Sequence, residues 1–217
     1  MTGYPRSPNV LKGGFVVMDA EGRQVQRVHP FQYNPDSLSR TLASQATNTP
    51  GGDNLEGLRL TGPPVETLSF DIEFDATDAL EYPDDNEAAV EHGVGPELAA
   101  LESFITPLSD RISDNDALAD RGVIEIFPEA ADMLLLVLGP SRIVPVRVTS
   151  FSITEEAFDH RLNPIRAKAS LSFQVLSTND LAMSGKGAEL FLAHLKRREN
   201  LVSELGGSLS ALGLEAI

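Results

Sequence analysis

Two long stretches, Ile143–Asp159 and Pro164–Leu176, joined by His160-Arg161-Leu162-Asn163, read as a pair of strands, and along the second apolar and polar residues alternate with period two. In the second stretch Ile165, Ala167, Ala169, Leu171, Phe173 and Val175 share one face, and Arg166, Lys168, Ser170, Ser172 and Gln174 share the other. Alternation sustained this long predicts half-buried antiparallel strands. The pair reads as a long hairpin with one face on a core and the other free for a partner. Val65–Asp75 alternates in the same way, with Leu68, Phe70, Ile72 and Phe74 opposite Ser69, Asp71 and Glu73. Phe15–Met18 and Val25–Tyr33 predict two more strands around the turn residues Asp19-Ala20-Glu21-Gly22. Pro30 lacks a ladder N–H, so the second of these is expected at a sheet edge or at a bulge. Val123–Phe127 and Met133–Leu138 are short apolar runs, and the second, lacking alternation, predicts a strand buried on both faces.

Helical spacing occurs in two places. Pro96–Asp110 carries Leu98, Leu101, Ile105 and Leu108 on one stripe, with Pro96 in the first turn and Pro107 near the end. Lys186–Leu205 carries Phe191, Leu192, Leu195, Val202 and Leu205, followed by a Gly206-Gly207 stop. Between the strands, Ala43–Gly62 is polar and glycine-paired, which predicts a long loop. No βαβ alternation appears, which argues against a doubly wound fold. The expected fold is mainly β with one packed α-helix: an antiparallel β-barrel or sandwich plus a C-terminal helix. The expected layout is a barrel domain over 10–181, holding the loop 43–62 and an acidic helical insertion 75–110, then a helical extension over 182–217.

Composition narrows the function classes. The 217 residues include no cysteine, which removes thiolate metal sites and thiol catalysis. The net charge of −15 argues against binding nucleic acid or anionic membranes. Between Asp75 and Glu97 the chain has eight carboxylates and no Lys or Arg. This run reads as a solvated face, since it matches no calcium-loop spacing. His29, His92, His160 and His194 are not at metal spacing from one another, and no nucleophile elbow or phosphate loop occurs. No catalytic residue, metal or cofactor is expected. No targeting segment is visible at the N-terminal end, so the chain is expected to be made in the cytoplasm.

Three ordered segments carry a resemblance. Phe31-Gln32-Tyr33-Asn34-Pro35-Asp36-Ser37-Leu38 resembles an N-terminal signature of tube-type proteins from contractile injection systems. Pro63-Pro64 through Phe74-Asp75-Ala76-Thr77 is similar to the following strand of that family. Val146–Val175, with Phe158-Asp159 and Pro164-Ile165-Arg166-Ala167, resembles its last hairpin; Asn163 stands where the family commonly has glycine. The resemblance covers about Val10 to Leu181. Too few residues follow Leu181 for the LysM wall-binding module that adaptor members often carry.

The resemblance implies a β-barrel with one helix, assembled as a six-fold ring of identical chains. Its partners are the tube, spike and baseplate proteins of the same phage-tail-like particle. The implied work is mechanical, as a tube initiator or baseplate adaptor ring where the inner tube meets the spike. Interface candidates are Phe31, Tyr33, Asn34, Phe158, Asp159 and Arg166, with an Arg166–Asp159 pair across the hairpin as another use of those two groups. Two other readings stand beside it: a repeating inner-tube subunit, and an unrelated small-ligand or carbohydrate-binding β domain. With no Trp and three Tyr, the last has little aromatic surface to build on.

Overall fold

The computed structural model describes residues 10–45, 60–107, 109–110, 113 and 131–214. Seven strands form one antiparallel sheet: β1 (Gly14–Met18), β2 (Val25–Pro30), β3 (Ser39–Ala43), β4 (Val65–Asp75), β5 (Met133–Val137), β6 (Ile143–Phe158) and β7 (Pro164–Val175). Their order across the sheet is β2-β1-β5-β6-β7-β4-β3. Short helices α1 (Thr77–Leu80), α2 (Glu87–His92) and α3 (Gly95–Glu102) follow β4, and α4 (Lys186–Ser203) follows β7. None of the helices among the described residues is long and apolar enough to cross a membrane.

The sheet is rolled. β1 and β4 stand four steps apart in the order, about 19 Å on a flat sheet at ~4.8 Å per step. Yet the rings of Phe15 on β1 and Phe70 on β4 lie 6.4 Å apart. Phe173 on β7 packs between them, 5.4 Å from Phe15 and 5.5 Å from Phe70. Curling the sheet brings one face of β1, β4 and β7 onto this aromatic centre. The alternation read from the sequence is therefore the core itself: Leu68, Phe70, Ile72 and Phe74 on β4, and Ala167, Ala169, Leu171, Phe173 and Val175 on β7, are all buried.

The expected barrel does not close by backbone pairing. Among the described residues β2 and β3 remain the two edges of the sheet. On one side β2 ends at Pro30, which has no N–H to offer a further strand, and the next N–H, that of Phe31, donates to the Gly13 carbonyl at 2.9 Å on the already paired β1 side. The place of Pro30 at an edge is as expected. β5 is buried along Leu134–Leu136, matching its unbroken apolar run.

Three local readings need correction. The helix expected to reach Asp110 stops at Glu102: the Ser103 hydroxyl donates to the Ala100 carbonyl, and Pro107 disfavours helical geometry at Thr106. Ile105 is consequently 52% exposed, not part of a core stripe, and Leu108 lies outside the described residues. The loop expected from Ala43 begins after it, since Ser39–Ala43 is a strand paired to β4. Residues 46–59 of that loop and the run Val123–Phe127 lie outside the described residues. The stripe on the last helix docks only at its start. Ala188 and Phe191 are buried, whereas Leu192, Val202 and Leu205 are exposed.

Candidate functional site

The segment Phe31–Asn34 joins parts of the sheet that no ladder connects. Phe31 points into the core, edge-on to Phe15 at 5.2 Å and 5.8 Å from Phe70. Gln32 then uses its side-chain amide as a surrogate strand residue. Its Nε2 donates to the Asp75 carbonyl at 2.6 Å, and its Oε1 accepts from the Asp75 N–H at 2.9 Å. Asn34 repeats the device on the other side, accepting from the Gly13 N–H at 2.8 Å and donating to the Leu11 carbonyl at 2.9 Å. Two carboxamides therefore sew the start of β1 and the end of β4 to one loop. A primary amide suits this because it offers the donor and acceptor of a peptide group. Asn34 is thus a structural stitch, and Phe31 is a core residue 3% exposed in the single chain. Tyr33 between them stays 48% exposed.

The outward face of the hairpin is polar and of low relief. Ser39, Ser69, Ser172 and Ser150 fall in one cross-strand row over β3, β4, β7 and β6, and Asp71, Ser170 and Ser152 form the next. Towards the hairpin end the rows become charged. Lys168 reaches Asp71 at 3.0 Å and Glu73 at 4.0 Å. Arg166 donates through Nε and Nη2 to one Asp75 oxygen, at 3.0 and 2.7 Å. The expected Arg166–Asp159 pair is therefore absent: β7 lies beside β4 with Asp75 opposite Arg166, and Asp75 captures the guanidinium.

Asp71 and Asp75 have their charged forms favoured. Thr77, through its hydroxyl and backbone N–H, holds Asp75 below the usual carboxylate range, with Arg166 adding to the effect. The Ser170 hydroxyl and then Lys168 do the same for Asp71. Arg166 and Lys168 are raised in return, chiefly by hydrogen bonds to those two aspartates. Both pairs are solvent-exposed, so they set register more than they stabilise.

Asp159 locks the hairpin end instead. Its Oδ1 accepts from the Arg161 and Asn163 N–H groups at 2.7 and 2.8 Å, and its Oδ2 accepts from Asn163 Nδ2 at 3.0 Å. Desolvation works against its charge, yet these bonds from Asn163 and Arg161 leave its pKa lowered. The turn is braced from outside as well. Asn163 Nδ2 donates to the Glu91 carbonyl at 2.9 Å, and the Val94 N–H donates to the Pro164 carbonyl at 2.8 Å. Gly93 makes that approach possible: its φ is +61°, and a Cβ there would sit 2.0 Å from the Pro164 oxygen. Phe158 at the base of the turn is 47% exposed.

Two cavities adjoin these features. A polar cleft of about 190 Å³ lies among Tyr33, Asp36, Asp71, Glu73 and Lys168. An apolar cavity of about 250 Å³ opens at the seam between β2 and β4, walled by Phe15, His29, Phe31, Ile72, Phe74 and Leu101. Among the described residues no group of three or more His, Asp or Glu side chains is placed to hold a metal ion. Of the six residues singled out from sequence, the fold brings Phe158, Asp159 and Arg166 to the hairpin end, and Phe31, Tyr33 and Asn34 to the seam. Gln32 and Asp75 escaped notice, although both lie inside the segments that carry the resemblance. No family model matches the chain, and no curated protein matches it.

Two histidines give the fold a pH dependence. Burial lowers His29, with Arg27 adding to it. Burial also lowers His194 on α4, where Glu66 of β4 opposes and Arg198, Arg142 and Arg40 reinforce. Neither His29 Nε2 nor His194 Nδ1 has a partner among the described residues. A folded-state pKa below the ordinary 6.5 means the unfolded chain binds the proton more readily. Their stabilisation is complete above 6.5 and is lost as pH falls through the folded-state values. The urea midpoint is expected to rise between about pH 5 and 7 at fixed salt. His194→Gln should flatten that rise; an unchanged slope would refute this assignment. The depressed aspartates act in a separate, lower window, with their stabilisation lost as pH falls below 3.8.

Proposed function

We propose that this chain is a ring-forming structural component of a contractile injection system, a tube initiator or baseplate adaptor joining the inner tube to the spike. The observation that carries the reading is the rolled sheet with its long, braced hairpin and its unpaired edges. Among the described residues β2 and β3 are free at the two ends of the strand order. β5 covers only Ile143–Val146 of β6, so among the described residues the far half of β6 has one unpaired edge as well. Free edges attract strands from other chains. Edges that differ from one another pair head-to-tail, and such contacts close into rings when the rotation permits.

The side chains support the same reading. The serine rows give a smooth polar face suited to lining a conduit, while the opposite face is consumed by the core. The Phe31–Asn34 stitches and the Asp159 lock hold the seam and the hairpin rigid before assembly, which reduces the ordering cost of association. The three segments resembling tube-type proteins coincide with these parts: the seam, β4 and the hairpin. In this reading the chain works inside a phage-tail-like particle, with tube, spike and baseplate proteins as neighbours.

Negative-stain imaging of the purified chain tests the reading. Discrete six-fold rings are expected. Continuous tubes would instead make it the repeating inner-tube subunit. Particles with neither form, together with selective glycan binding, would overturn the injection-system role.

A further inference from the structure

The hairpin end carries a residue that its backbone geometry does not favour. Leu162 has φ +66°, and among the described residues it is the one non-glycine with positive φ. A side chain is crowded in left-handed geometry, and a bulky residue there is uncommon. Leu162 is also 79% exposed, the apolar summit of a turn locked by Asp159 and Asn163. A rigid, strained, solvated leucine contributes nothing to its own chain's core. It has the character of a preorganised anchor.

The seam offers a matching socket. The 250 Å³ cavity between β2 and β4 is walled largely by aromatic and aliphatic side chains. His29, which lines it, has in Nε2 a buried polar atom without a partner among the described residues, free to bond an incoming turn. Charge matches too: exposed Arg161 stands beside Leu162, and exposed Glu97 stands at the cavity wall. The two features cannot meet within one chain as folded, since Leu162 is open to solvent while β6 and β7 are braced against the α2–α3 segment.

We infer that the hairpin end of one copy seats Leu162 in the seam cavity of the next copy, with Arg161 facing Glu97. This contact is heterologous, as ring closure requires. It rests on the ring reading above and names the surfaces that join the subunits.

The absence of native cysteine permits a direct test. Leu162→Cys and Ala100→Cys variants, mixed in equal amounts and oxidised mildly, should form a mixed disulfide dimer. Either variant oxidised alone should form little. Leu162→Gly supplies the second arm. Glycine accepts the left-handed turn, so the thermal midpoint should hold or rise, while self-association weakens roughly tenfold or more. If the parent chain assembles but the mixture gives no cross-link, or Leu162→Gly assembles as well as the parent, this contact is wrong and the ring reading stands. If the parent chain never assembles, the ring reading falls and takes the contact with it.

Discussion

Truncating Phe31 to alanine is expected to lower the unfolding free energy by about 3–5 kcal/mol. The ring is 3% exposed and packs against Phe15 and Phe70, two strands that only the rolling of the sheet brings together. Its loss removes the transfer energy of a phenyl group and leaves a void beside an existing cavity. It also loosens the seam, since Gln32 and Asn34 flank it and depend on its anchorage. Tyr33→Ala, one side chain away but facing solvent, is expected to change stability by less than about 0.5 kcal/mol. Denaturant unfolding of the two variants checks the contrast. Equal effects at both positions would mean that the segment does not pack as described.

The second large effect is expected at Glu66. Its carboxylate, with 6% of its side-chain surface exposed, is held by Arg198 of α4 at 3.1 Å and Arg40 of β3 at 3.5 Å. Removing both arginines in Arg40→Ala/Arg198→Ala leaves a buried negative charge without compensation. The cost is expected to be about 3 kcal/mol, the lower end for breaking a buried pair, because each arginine keeps about a third of its side chain in water. Loss of the Arg198 link also frees the distal half of α4, where Val202 and Leu205 are already exposed. Glu66→Gln should be milder, since it removes the charge that needs compensation. The thermal midpoint, with hydrogen exchange along residues 186–203, separates the variants. A double variant as stable as Glu66→Gln would contradict this view of the α4 anchor.

How far the fold could be read from sequence depended on what each signal measures. Period-two alternation reports one-sided burial, so β4 and β7 were legible almost to their ends, whereas the pattern of β6 is broken where its register shifts. β3 was not legible, because Ser39–Ala43 is exposed throughout and an edge strand needs no apolar face. The pairing of Arg166 depended on strand order, and alternation within a strand says nothing about which strand lies beside it. Placing β7 next to β4 makes Asp75 the partner. Gln32 escaped for a related reason: a carboxamide that replaces a ladder is recognisable only once the two edges are near each other. Asn163 stands where the resembling family commonly has glycine, yet Leu162 holds the left-handed conformation while Asn163 braces the turn. The edge position of β2 was legible in Pro30, whereas the free edge of β3, with no proline and no apolar face, was not.

Self-assembly of identical chains into a ring is the claim on which the functional account stands. Sedimentation equilibrium of the intact chain over a hundredfold range of concentration tests it most directly. A reversible approach to a species of six chain masses, moved to roughly tenfold higher concentration or more by Leu162→Gly, is the predicted result. A single chain mass throughout the range would contradict it.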